Sequence, residues 1–212
     1  MFWQRADAAS SGNCFASILT TESVADSILW WPGMKLSPDC MYLLLASLCA
    51  SAGAVSDVRS RRIPNLLTGA SVVLGLLLHL GAGGWRQMGM AAAAGLVGGA
   101  VFFVFFVAGG MGAGDVKLMA AVSSIAGFGH LAELFLAIAL TGGVFAVVLA
   151  ISRGRLKATV ANVGSLIQHH ARSGVLPHPD LNLDNPQSLR LAYGVPIAVG
   201  CWIVLLMQMG TR

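Results

Sequence analysis

Charge is what this sequence has least of. It holds 13 Lys+Arg and 9 Asp+Glu in 212 residues, 10% of the chain, where a soluble domain carries about 25%. So few charges exclude an ordinary soluble enzyme. With a hydrophobic fraction of 56%, they also exclude a disordered chain and a nucleic-acid binder. Cysteine is sparse too. Cys14, Cys40, Cys49 and Cys201 are scattered, with no CxxC and no Cys/His cluster at zinc spacing, which excludes a disulfide framework and a structural zinc. Cys49 and Cys201 lie inside apolar runs and read as small core residues. What is present is apolar: about two-thirds of the chain once glycine is counted, with a mean hydropathy of +0.76. That composition defines an all-α polytopic membrane protein. The pI of about 9.2 then bears on which side of the bilayer the basic residues occupy.

Six apolar runs stand out: Cys40–Ser56, Leu66–Gly84, Met88–Gly110, Val116–Gly129, Leu131–Ile151 and Leu191–Met209. Most meet the requirement of about 20 residues for about 30 Å of hydrocarbon. The fourth is short, which means either a thinned bilayer or a helix that begins below the membrane surface. Basic residues fall mainly in three connections: Arg59, Arg61 and Arg62; Lys117; and the long stretch Ser152–Arg190 with Arg153, Arg155, Lys157, Arg172 and Arg190. The positive-inside rule puts these three in the cytoplasm and both termini outside. Six spans satisfy that arrangement and five do not. Residues 1–39 are polar, mixed and aperiodic. They lack the basic n-region and apolar h-region of a signal peptide, and are expected to be an extension outside a membrane domain formed by residues 40–212. Translation is expected to start at Met34 or Met41.

Ionisable residues at membrane depth are costly, so each needs a reason. Of the nine acids, four precede the first span, two lie in the long loop and Glu133 is near an outer helix end. Asp57 and Asp115 remain, at helix ends on the same side of the membrane. Two carboxylates brought together cannot both ionise comfortably, so one keeps its proton. The ionised member can activate water while the protonated one hydrogen-bonds a peptide carbonyl. Two plainer roles compete: Asp57 pairing with Arg61 across one helical turn, and Asp115 capping the fourth span. The glycines before Asp115, in GGMGAGD (Gly109–Asp115), favour chemistry over a plain loop. Irregular backbone at membrane depth is tolerated only where it is buried or lines a cavity.

The string GAGDVK (Gly112–Lys117) matches the GxGDxK motif of the type IV prepilin peptidases, which are membrane aspartic proteases. DVRSRRIPN (Asp57–Asn65) resembles that family's first-aspartate motif. LAYGVPIAVG (Leu191–Gly200) is similar to its Tyr-Gly entry into the last helix, with Ala192 where a proline often stands. The resemblance covers roughly residues 41–209. It implies that Asp57 and Asp115 are the catalytic pair and that Gly112 and Gly114 shape the turn. Lys117, Arg59, Arg62, Pro64, Asn65, Tyr193 and Gly194 then flank the site or contact substrate. It implies prepilin or pseudopilin substrates cleaved at the cytoplasmic face of the bacterial inner membrane, with no metal, no organic cofactor and no nucleic acid. Without paired CxxC motifs, the chain resembles the short form of tight-adherence (Flp-type) pilus systems, which lacks the methyltransferase domain.

Two other readings stand beside this one. Presenilin- and signal-peptide-peptidase-like proteases also use GxGD but take their first aspartate from a Tyr-Asp pair, whereas Asp57 follows Ser56. A small transporter or assembly subunit would use the acids to bind protons or pair with arginine. His169, His170 and His178, with Asp180 and Asp184, are expected in a solvated loop, not a metal site. AAAAGLVGG (Ala91–Gly99), with Gly95 and Gly99 four apart, predicts close helix packing. Phe102, Phe103, Phe105 and Phe106 read as core- or lipid-facing bulk. His79, His130 and Glu133 are expected to be exposed at outer helix ends.

Overall fold

The structure, a computed structural model, describes residues 37–154, 156–173 and 192–210. The expectations for residues 1–36 and for Arg155, His178, Asp180, Asp184 and Arg190 lie outside the described residues.

Helix α1 (Pro38–Ser60) starts where its sequence provides a start. Ser37 Oγ accepts the Cys40 N–H at 3.4 Å, and Pro38 occupies the first turn. Asp39 in the first turn and Arg59 in the last complement the helix dipole. The helix stops at Arg61, whose φ of 50° is left-handed and whose N–H donates to Asp57 O at 2.8 Å. The Ser56 and Ser60 hydroxyls donate to Arg62 O at 2.8 and 3.1 Å, fixing the turn that follows.

Helix α2 (Asn65–Val107) has 43 residues, which unbroken would run about 65 Å, twice the hydrocarbon thickness. It is interrupted at Gly83 (φ −151°, ψ 23°) and Gly84 (φ 66°, ψ −160°). Gly84 has a conformation essentially closed to residues with a Cβ. The second and third expected spans are therefore two limbs of one element, joined without a loop.

Between them lies α3 (Ala113–Ala126), only 14 residues long. Leu118, Met119, Ala121, Val122 and Ser123 are fully buried. Both limbs of α2 close on α3: a Cβ at Gly75 would come within 2.9 Å of Ser124 O, and one at Gly95 within 3.1 Å of Ala120 O. Gly95 and Gly99 thus face α3 as the small-residue stretch predicts. The helix rises about 21 Å and is jacketed by protein, so of the two explanations for its shortness it does not need a thinned bilayer.

Gly127 ends α3, and a 3₁₀ turn (Phe128–His130) leads into α4 (Leu131–Ser152). Helix α6 (Gly194–Gly210) packs on α1 and α4. There Trp202 Nε1 donates to Ser51 Oγ at 3.0 Å, and Thr141 Oγ1 donates to Pro196 O at 3.1 Å. Every regular element among the described residues is helical. Helices α1, α2 and the run Phe128–Ser152 are each long and apolar enough to cross a membrane, and α6 is a shorter apolar helix. The chain is an all-α polytopic membrane protein.

Two expectations are corrected. The stretch Ser152–Arg190 is not simply a loop, because it contains α5 (Leu156–Ser173); Leu156, Val160 and Val163 recur there at helical spacing. His169 and His170 fall within it. His79 is buried, not exposed: its ring stacks on Tyr42 with centroids 4.4 Å apart, and Nε2 lies 3.1 Å from Ile125 O. That carbonyl belongs to the last turn of α3, which has no helical partner of its own to satisfy it. His130 and Glu133 pair at 3.3 Å. Phe102 is buried against Phe135, while Phe103, Phe105 and Phe106 are exposed. Cys40, Cys49 and Cys201 are buried free thiols.

Candidate active site

The end of α1, the turn after it, and the start of α3 enclose a cleft of about 510 Å³. Asp57 reaches it from the last turn of α1. Asp115 reaches it from the first turn of α3, ahead of Val116 and outside the helices long enough to span. Each carboxylate is held by a backbone N–H. Gly112 N donates to Asp115 Oδ2 at 3.2 Å, while Asp115 N donates back to Gly112 O at 3.1 Å. Asp115 is thus the third residue of α3 and not its N-cap, a position taken by Gly112. Gly194, at the head of α6, donates its N–H to Asp57 Oδ2 at 3.4 Å. This approach requires glycine, since a Cβ there would sit 3.0 Å from Ala54 Cα and 3.3 Å from Asp57 Cβ.

Asp57 does not form the ion pair with Arg61 that competed for it. Among the described residues no salt bridge involves either aspartate. Asp115 is buried, and its carboxyl is pushed up to about 6, first by that burial and then by the charge of Asp57. The Gly112 N–H opposes the shift. Two aspartates far apart in sequence are thus close enough for the charge of Asp57 to act on Asp115.

The other expected residues divide. Gly112, Gly114, Lys117, Arg62, Pro64 and Asn65 line the same cleft. Lys117 Nζ donates to Asn65 Oδ1 at 2.9 Å, tying α3 to the start of α2. Tyr193 lies near enough for the charge of Asp115 to act on its phenol. Arg59 is exposed in the last turn of α1 and does not line the cleft. Ile63 and Ala113 do line it and were not singled out. Ile63 Cβ would lie 3.4 Å from a Cβ at Gly114, so this side chain sets how closely the turn packs on α3. Its signal was its place between Arg62 and Pro64. An apolar groove of about 430 Å³, lined by Leu66, Leu67, Ala70 and Leu74, adjoins the cleft at Pro64. Among the described residues no three His, Cys, Asp or Glu side chains gather to hold a metal.

A membrane-embedded helical bundle with two carboxylates opening on one cleft fits the protease class. The family model for the type IV leader peptidase family matches residues 43–147, a stretch that includes both aspartates and ends before Tyr193. The chain belongs to that family of peptidases. No curated protein and no solved structure matches it.

Proposed function

We propose that the chain is an aspartic endopeptidase that removes the leader from type IV prepilins of the Flp type, with Asp57 and Asp115 as its catalytic pair. The observation that carries this reading is the opening of both carboxylates onto one cleft, where the charge of Asp57 and burial together favour a proton on Asp115. In the reaction Asp57 takes a proton from water as the water oxygen attacks the peptide carbonyl carbon. Asp115 gives its proton to the carbonyl oxygen. Collapse of the tetrahedral intermediate breaks the C–N bond as the proton held by Asp57 passes to the leaving amine and a hydroxyl proton of the intermediate returns to Asp115, which releases the acid and restores the pair. Only carboxylates and water take part.

The apolar groove at Pro64 suits the hydrophobic helix that follows a prepilin leader. Arg61, Arg62 and Lys117 on the cleft agree with a site facing the cytoplasm across the inner membrane. Residues 40–212 form the peptidase domain in this reading, residues 1–39 lie outside it, and N-methylation is not part of its activity. Co-expression with a Flp-type prepilin, followed by immunoblotting of precursor and mature forms, tests it. Asp57→Asn and Asp115→Asn should each insert normally and leave the precursor uncut. Full processing by either variant removes that aspartate from the pair.

A further inference from the structure

The helix α5 takes no part in the cleft, and its surface is unlike that of any other helix among the described residues. Leu156, Val160 and Val163 share one face, since positions four and seven residues apart fall within a narrow arc of an α-helix. All three are exposed, Val160 at 64% and Val163 at 49%. Ala161 lies on the other side of the helix and Lys157 on its flank, about a quarter turn from the apolar face. Among the described residues its contact with the rest of the bundle is slight and falls mainly on α4. An apolar face of this kind, left open to water on a soluble protein, would be a liability.

Three observations identify what covers it. First, α5 starts at Leu156, just after α4 ends at Ser152. The last turns of α4 expose Val144, Val147, Val148 and Ile151, as a lipid-facing helix does, so α5 begins at the level where that apolar sleeve stops. Second, α4 runs back toward the cleft end of the bundle. A Cβ at Gly142 would lie 3.8 Å from the Tyr193 ring, and α4 continues from there for about 15 Å. The start of α5 is therefore at the rim on the side of the cleft. Third, the charge there has one sign. Arg153, Arg155, Lys157 and Arg172 fall in a stretch with no acidic residue between Glu133 and Asp180. An amphipathic helix with an apolar face, basic residues and no acid has the pattern that binds the headgroup plane of anionic lipid.

We propose that α5 lies in the membrane interface at the rim on the cleft side, its Leu156–Val160–Val163 face in the acyl boundary and its basic residues among anionic lipid headgroups. The helix extends the lipid-facing surface of α4 sideways, so the membrane is its partner in place of another part of the protein. This inference does not depend on the catalytic roles of Asp57 and Asp115, and neither residue enters its test.

The test uses the full chain carrying Cys14→Ser, whose remaining cysteines are buried. A single nitroxide label is attached through Val163→Cys or Ala161→Cys, and the chain is reconstituted into phosphatidylcholine vesicles with or without phosphatidylglycerol. Electron paramagnetic resonance then compares collision with oxygen, which concentrates in lipid, against collision with a water-soluble nickel chelate. In vesicles containing phosphatidylglycerol, the label at 163 should collide several-fold more with oxygen than with nickel, and the label at 161 should show the reverse. The contrast should shrink without the anionic lipid. Nickel access at both positions means a helix free in water and overturns the proposal. Shielding of 163 from both reagents means a protein partner, which also overturns it. The same contrast in both lipids overturns the anionic preference.

Discussion

At Asp115 two causes act in the same direction, and they can be separated by removing one. Burial is the larger and the charge of Asp57 the smaller. The carboxyl titrates near 6 in the folded chain against an ordinary 3.8. A raised folded value means that folding takes up a proton between these two pH values. The protonated form is stabilising at low pH, and that contribution is lost as pH rises through about 6. Asp57→Asn removes the charge and keeps the burial. The Asp115 midpoint should then move down but stay above 3.8, as followed by the infrared carbonyl band of the protonated acid. An unchanged midpoint would mean that the two carboxylates do not sense each other. The residue scale is also where sequence reasoning reached furthest, because acids at membrane depth are rare enough to stand out. It failed at His79, whose reason for burial is the carbonyl of Ile125, far away in sequence.

Among the described elements, α2 is the one that breaks within its length. Gly84, with φ 66° and ψ −160°, lets the two limbs fold back on α3. Nothing lies within 4 Å of a Cβ placed there, so Gly84→Ala meets only a backbone penalty and no clash. That penalty is about 1–3 kcal/mol, and it should appear as a lower midpoint in detergent unfolding with little change in helix content. The apolar runs were legible because lipid demands length and hydropathy of each span. Helix α3 was legible as short but not as central, since its jacket comes from Gly75 and Gly95 on opposite sides of the break. Helix α5 was missed for a different reason. Its apolar positions are spaced for a helix, yet the stretch reads as a polar connection when only charge is followed.

On the scale of the whole molecule, the bundle closes where α6 meets α1. Gly194→Ala puts a methyl 3.0 Å from Ala54 Cα and should cost about 1–3 kcal/mol through overpacking, while cleavage falls as the N–H withdraws from Asp57. Gly210→Ala, with nothing within 4 Å of its Cβ, is the matched control and should leave both unchanged. Parallel thermal unfolding and prepilin processing check the pair. Equal loss in both variants would point to general helix effects and not to this contact. The Tyr193–Gly194 motif pointed to the head of α6, which approaches Asp57 from behind without lining the cleft. That its contribution is a backbone N–H was not legible, since any residue but proline supplies one.

The N–H of Gly194 has a consequence in time. Asp57, the turn after α1, and Asp115 lie within one continuous portion of the chain, well ahead of α6. Gly194 belongs to α6, which is made well after them. A nascent chain therefore carries both carboxylates well before it carries the donor that holds Asp57, and the site is completed only once the head of α6 has been made.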